Sequence, residues 1–382
     1  MSLERVLQPL IACVGNPVGG NPTQFVMTRV SREAELDWRF FTSQVSPESF
    51  ETAFRGIQAL GMAGAAILPP FQVAVQPLLD SITPGAKALG VVHVAKWESS
   101  QWIGEETLCP AVLRALTHRF SKSVSESEVE QDESFAPQSI GVFGSDRFAS
   151  ALQIALNAFP GDYSVFLIGD PPPATDVAQH QVASHIANQV ATPVANVVAN
   201  SGSGPDSTLK RDSSKRDSTK RDLQSGLDSE QDLGEQGLGE ESQTPTTNPD
   251  SGAANPYLEA PLASVPRLRL DDLSLTERPV RALILEDIDA MIGLSAAARH
   301  RIFKDAIWAA HPVAVLLPPP TGWVEATKER SQCIAELKQY ALEWIDELEV
   351  LTQQSAINFE FWTGYEPELD SIRESLEEYL QW

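Results

Sequence analysis

Along most of this chain, short apolar runs alternate with stretches that are apolar only at every third or fourth residue. Leu10-Ile11-Ala12-Cys13-Val14, closed by Gly15-Asn16-Pro17, predicts a strand and a turn. Trp38-Arg39-Phe40-Phe41 predicts a second strand. Ser46-Pro47-Glu48-Ser49 predicts a helix start, with Ser46 as N-cap and Pro47 at the first helical position. Phe50, Phe54 and Ile57 then line one face of that helix, and Gly61 and Gly64 close it. Ala65-Ala66-Ile67-Leu68 reads as another buried strand, broken by Pro69-Pro70. This alternation predicts an α/β layer architecture.

Residues 121–138 are rich in Ser and Glu and read as a linker. Beyond them a second α/β unit opens. Ser139-Ile140-Gly141-Val142-Phe143-Gly144 is a strand entering a glycine turn, a helix follows over 147–159, and Tyr163 to Ile168 is the next strand. Strand, glycine turn, helix and strand are the start of a nucleotide-binding βαβ unit. Val280-Arg281-Ala282-Leu283-Ile284-Leu285 and Val313-Ala314-Val315-Leu316-Leu317 predict further buried strands, bracketing a helix over 295–310. The tail, 323–382, reads as mostly helical. Ile334, Leu337, Ala341, Trp344, Ile345 and Leu348 supply its apolar face, and Trp362-Thr363-Gly364 interrupts it.

Residues 200–256 depart from this pattern. Lys210-Arg211-Asp212, Lys215-Arg216-Asp217 and Lys220-Arg221-Asp222 recur every five residues, a period of neither helix nor strand, and Glu-rich text follows. Between Ser201 and Asn255 there is no aromatic, Val or Ile, so this segment reads as a disordered, low-complexity insertion. It is either a tolerated surface loop or a docking segment for a protein partner.

Composition narrows the function classes. Lys and Arg number 28 against 52 Asp and Glu, a net charge of −24, which argues against nucleic acid and anionic membranes as partners. No apolar run is long enough to span a bilayer, and the first residues lack the features of a signal peptide, so a cytoplasmic protein is expected. Cys13, Cys109 and Cys333 lie too far apart in sequence for a disulfide framework or a metal-ligand spacing, and no metal is expected.

Five stretches in order resemble the shikimate dehydrogenase family: Gly15-Asn16-Pro17-Val18-Gly19; Ser46 through Gly64 with Ile67 and Pro70-Phe71; Asp80 through Val92; Pro318-Pro319-Pro320-Thr321; and Leu351 through Ala356 with Phe359-Glu360-Phe361-Trp362-Thr363-Gly364. The resemblance implies a two-domain α/β fold. Residues 1–120 would be the substrate-binding domain, 121–138 the linker and 139–345 a Rossmann-like doubly wound domain carrying the insertion. Residues 346–382 would be helices packing back on the N-terminal domain. It also implies NADPH-dependent reduction of 3-dehydroshikimate to shikimate, a step of aromatic amino acid biosynthesis, with a Lys and an Asp moving the proton. Hydride transfer to a carbonyl leaves an alkoxide that a positioned acid must protonate.

Several positions depart from the family. Gln72 stands at the lysine position and Leu108 at the aspartate position, and neither side chain exchanges a proton near neutral pH. The substrate-type pocket maps to Asn21, Thr23, Gln72, His93, Thr107 and Gln354. His93 is either a replacement acid/base or a satisfied strand-end histidine. Glu106 is either a replacement carboxylate or a surface loop residue. On the cofactor side the family's glycine turn maps to Gly144, Ser145, Asp146 and Arg147, so an Asp occupies the place where the pyrophosphate needs close backbone approach. Arg147 either meets a phosphate or is an exposed helix residue paired with Asp146. Asp170 repels the 2′-phosphate of NADP and suits the ribose diol of NAD. Phe359, Phe361 and Trp362 read as helix packing rather than pocket lining.

Three readings follow. The first is a catalytically impaired member, a pseudoenzyme that keeps the fold and a small-molecule pocket. The second is an active NAD(P)-dependent oxidoreductase on a related hydroxy acid, using His93 or Glu106. The third is a scaffold acting through its disordered loop.

Overall fold

The computed structural model describes residues 8–126, 138–157, 162–169, 265–276, 278–318, 327–340 and 342–381, all within one compact unit. Residues 200–256, the expected disordered insertion, lie outside the described residues.

The N-terminal lobe is built from β1 (Leu10–Gly15), α1 (Thr23–Glu33), β2 (Arg39–Gln44), α2 (Phe50–Ala59), β3 (Gly64–Ile67), β4 (Ser81–Ile82), α3 (Pro84–Leu89), β5 (Val94–Glu98), β6 (Gln101–Glu105) and α4 (Leu108–Glu126). Its sheet has the order β2-β1-β3-β5-β6-β4; β1, β2 and β3 run parallel, and β5 is antiparallel to both β3 and β6. All four residues of β3 are buried, as expected of a strand covered on both faces. Helix α4 continues to Glu126, into the stretch that reads as linker from 121.

The second lobe contains β7 (Gln138–Phe143), α5 (Asp146–Leu156), β8 (Tyr163–Ile168), β9 (Arg267–Leu268), β10 (Val280–Leu285), α6 (Ile288–Gly293), α7 (Ala296–Lys304), β11 (Trp308–Leu316), α8 (Lys328–Leu337) and β12 (Glu343–Ile345). Its sheet is parallel throughout, in the order β12-β11-β10-β7-β8-β9. This is the doubly wound dinucleotide-fold order, whose direction reverses between β7 and β10.

The chain ends in α9 (Glu347–Thr363) and α10 (Leu369–Leu380). Leu348, Ala356, Phe359 and Trp362 of α9 share a core with Ile11, Phe40, Ala66 and Val94 of the N-terminal sheet. Arg114 of α4 clamps Glu360 of α9 through two bonds of 2.6 and 2.7 Å. Another core joins the lobes: Ala88 of α3 and Cys109, Val112 and Leu116 of α4 pack with Ile140, Val142, Phe148 and Leu152.

Three local expectations are corrected. The helix expected over 295–310 stops at Lys304, and β11 begins at Trp308, paired with Val280. Trp308 also donates its indole N–H to the carbonyl of Phe303, which holds the turn between them. Trp344 and Ile345 belong to β12, paired with Ala314 and Val315, although their spacing mimics a helix face. Ser46 does not cap α2: its hydroxyl bonds Ser49 across a 3₁₀ turn, and α2 starts at Phe50.

Candidate functional site

The rim of the N-terminal lobe is where β1, β2, β3 and β6 end and β5 begins. Asn16 N–H donates to the carbonyl of Pro69 at 3.0 Å, Val92 N–H to the carbonyl of Gln72 at 2.9 Å, and His93 N–H to that of Glu105 at 2.9 Å. These bonds fix Gln72 and His93 beside the entrance to α4. There the amide of Thr107 donates to His93 Nδ1 at 3.0 Å, and Gln354 Nε2, reaching in from α9, donates to Thr107 Oγ1 at 3.2 Å. His93, Thr107 and Gln354 therefore meet at one point. Thr107 is fully buried. His93 is partly buried, and desolvation pushes its imidazole down to about 4, so the ring is neutral with its proton on Nε2.

Asn21 and Thr23 lie at the other side of this rim, at the start of α1. Asn21 Oδ1 accepts from Thr23 N–H at 3.0 Å. Asn21 also borders an outer hollow of about 760 Å³ shared with Thr42, Arg29 and Tyr379, whose lining does not include His93, Thr107 or Gln354.

Glu106 is not the surface residue that one reading allowed. It is 1 % exposed, and its Oε2 accepts from Leu108 N–H at 3.0 Å and Cys109 N–H at 3.1 Å, capping α4. Burial nevertheless raises its carboxyl to about 7, outweighing those two bonds. Leu108 is partly buried against the core shared by the two lobes.

The second lobe's crevice lies where β7 and β10 end, at the reversal of strand order, the usual place for a dinucleotide. Ser145 caps α5, accepting from Phe148 N–H at 3.1 Å. Ser145 also donates to Glu286, the residue after β10, from its N–H at 2.6 Å and from its hydroxyl at 2.9 Å. A Cβ on Gly144 would overlap that carboxylate, so the glycine is needed for Glu286 to approach. Desolvation, reinforced by Asp287 and Asp146, raises Glu286 to about 7 against the pull of Ser145. The residues present thus do not fit a pyrophosphate: two donors at the start of α5 already serve a carboxylate.

Both carboxylate oxygens of Asp146 accept from Nη2 of Arg267 on β9, at 2.9 and 2.8 Å. Arg147 is half-buried and lies against Gly90, the αL cap of α3, so it spans the two lobes; burial lowers its guanidinium. Asp170 lies outside the described residues. Phe359 and Trp362 are core residues, and Trp362 donates its indole N–H to the carbonyl of Ala95 at 3.1 Å. Among the described residues no three His, Cys, Asp or Glu side chains gather as metal ligands, and no helix is long and apolar enough to cross a membrane. Sequence reasoning missed Glu286. Its signal was an acidic residue directly after an apolar strand, which gains meaning only once β10 is known to neighbour β7.

Residues 13–94 match the family model described as the shikimate dehydrogenase substrate binding domain. The chain is 28 % identical over 120 residues to a shikimate dehydrogenase (NADP(+)) of Bacillus subtilis, covering 31 % of this chain and 43 % of that one. The match thus spans less than half the length of that relative. The crystal structure of shikimate dehydrogenase from Aquifex aeolicus superposes with a TM-score of 0.53 at 16 % identity, covering 98 % of each chain. That of shikimate 5-dehydrogenase from Thermus thermophilus in complex with shikimate gives a TM-score of 0.53 at 14 % identity, covering 98 % of this chain and 100 % of that one. Residues 13–94 are thus similar to the substrate binding domain of shikimate dehydrogenases, and the two-lobed fold is similar to theirs over the length of the chain.

Proposed function

We propose that this chain is a shikimate dehydrogenase-like protein that keeps a small-molecule pocket but not the family's proton transfer. The family reaction reduces 3-dehydroshikimate to shikimate with NADPH. The reading is carried by Leu108. At the position matching the family aspartate, this side chain packs into the core joining the lobes, where its contribution is structural. Gln72, at the lysine position, can accept or donate a hydrogen bond but holds no proton to give. His93 does not substitute, because a ring pushed down to about 4, with Nδ1 already accepting from Thr107, stays neutral across the physiological range. Glu106 titrates near neutrality, but one of its oxygens is committed to the first turn of α4. The cluster of His93, Thr107 and Gln354, with Asn21, Thr23 and Gln72 on the same lobe, is suited to a polyhydroxylated ring acid.

The test is twofold. With shikimate and NADP⁺ at saturating levels, turnover should fall far below the ~10 s⁻¹ typical of enzymes. Shikimate should still raise the unfolding temperature of the protein, and Gln354→Ala should weaken that effect. Turnover in the ordinary range would overturn the reading.

A further inference from the structure

The start of α5 is where a doubly wound domain holds the phosphates of a dinucleotide, because the free N–H groups and the helix dipole favour an anion. Here that place has a carboxyl group of the chain's own. Glu286 comes from the end of the neighbouring strand β10, and both its oxygens are engaged by one residue, Ser145: N–H to Oε2 at 2.6 Å and hydroxyl to Oε1 at 2.9 Å. A bond of 2.6 Å is at the short end for N–H to carboxylate, as charge-assisted bonds are. Only a glycine at position 144 leaves room for this side chain, since a Cβ there would overlap its carboxylate.

We propose that Glu286 is a resident occupant of the dinucleotide crevice, standing where a pyrophosphate would stand and excluding phosphate-bearing cofactors from this lobe. The inference rests on the reading of the chain as a non-transferring family member and names the residue that decides the cofactor side. The surroundings agree. Asp146 faces the same turn, adds a second carboxylate there, and is held in place by Nη2 of Arg267 at 2.9 and 2.8 Å. Asp287, next in sequence, is turned to its own helix, where it caps α6 by accepting from Ala290 N–H at 2.8 Å. Burial, with the neighbouring Glu106 and Glu286 adding to it, pushes the Cys109 thiol at the start of α4 up, so it stays protonated.

Inorganic pyrophosphate and NADP⁺, titrated calorimetrically into the full chain at pH 8, test this without any measurement of turnover. The parent protein should give no binding isotherm with either up to millimolar concentration. Asp146→Gly alone, which removes the other carboxylate but leaves Ser145 engaged, should behave like the parent. Asp146→Gly with Glu286→Ala should bind pyrophosphate at least tenfold more tightly than Asp146→Gly. Micromolar binding of NADP⁺ by the parent overturns the proposal whatever the variants do. So does equal pyrophosphate affinity of the single and double variants, once circular dichroism shows both folded. A parent that turns over shikimate with a cofactor lacking phosphate would sink the proposed function while leaving the role of Glu286 standing.

Discussion

Thr107 donates its backbone N–H to Nδ1 of His93 at 3.0 Å, which fixes both the tautomer and the charge of the imidazole. A protonated Nδ1 has no lone pair to accept with, so charging this ring costs that bond as well as the desolvation that already lowers it to about 4. In a ¹⁵N-resolved spectrum His93 should appear as the Nε2–H tautomer and show no titration between pH 5.5 and 8. A midpoint near 6.5 would restore His93 as a candidate acid.

Glu106, Glu286 and His93 each make stability depend on pH, the two carboxyls with one sign and the imidazole with the other. Glu106 and Glu286 rise from 4.5 to about 7 on folding. Between those values the folded chain keeps protons that the unfolded chain has released, so stability falls as pH rises through the window. His93 is lowered from 6.5 to about 4, so the unfolded chain binds the extra proton and stability rises with pH between those values. Above pH 6.5 only the carboxyls still act, and stability should decline toward pH 8. Glu106→Gln keeps an oxygen for the amides of Leu108 and Cys109 while removing the titration. The carboxyl contribution lost between pH 5 and pH 8, read from urea unfolding, should shrink by about 1–3 kcal/mol in this variant.

The attachment of α9 to the N-terminal sheet rests on Phe359, fully buried among Phe40, Ala66 and Val94. Phe359→Ala should cost about 3–5 kcal/mol of unfolding free energy, as for other buried aromatics. Arg114→Ala frees Glu360 at a partly exposed site and should cost no more than about 1 kcal/mol. Comparable losses for the two would mean that the clamp, not the core, holds the helix.

Strands such as Val280–Leu285 were legible because a parallel strand covered on both faces is apolar throughout. Trp308 and Trp344 were misplaced because short apolar stretches at spacings of three or four suit a helix face and a three-residue strand equally. His93, Thr107 and Gln354 were each picked out separately by resemblance, and the structure brings them into contact although Gln354 is 247 residues from Thr107. Glu286 was not picked out. Its partner Ser145 is 141 residues away, and local patterns carry no information about a contact made by strand order. Glu106 looked like a loop residue because its role, accepting two amides at a helix start, follows from where α4 begins.

Leu108 supplies the last prediction. Replacing it with Asp puts a carboxylate in the first turn of α4, where the helix dipole favours it, at the position that the proposed function matches to the aspartate. The same change removes an apolar side chain from the core between the lobes, so Leu108→Asp should lower stability by about 1–3 kcal/mol. The pair Gln72→Lys and Leu108→Asp should remain without shikimate-dependent NADP⁺ reduction even where it folds. The proton-transfer groups would then face a crevice whose phosphate donors still serve Glu286. Activity should require Asp146→Gly and Glu286→Ala in addition, and should appear only in the fourfold variant. If the Gln72→Lys, Leu108→Asp pair alone gives a rate, the cofactor already has a place to bind, and the geometry at Ser145 does not exclude it.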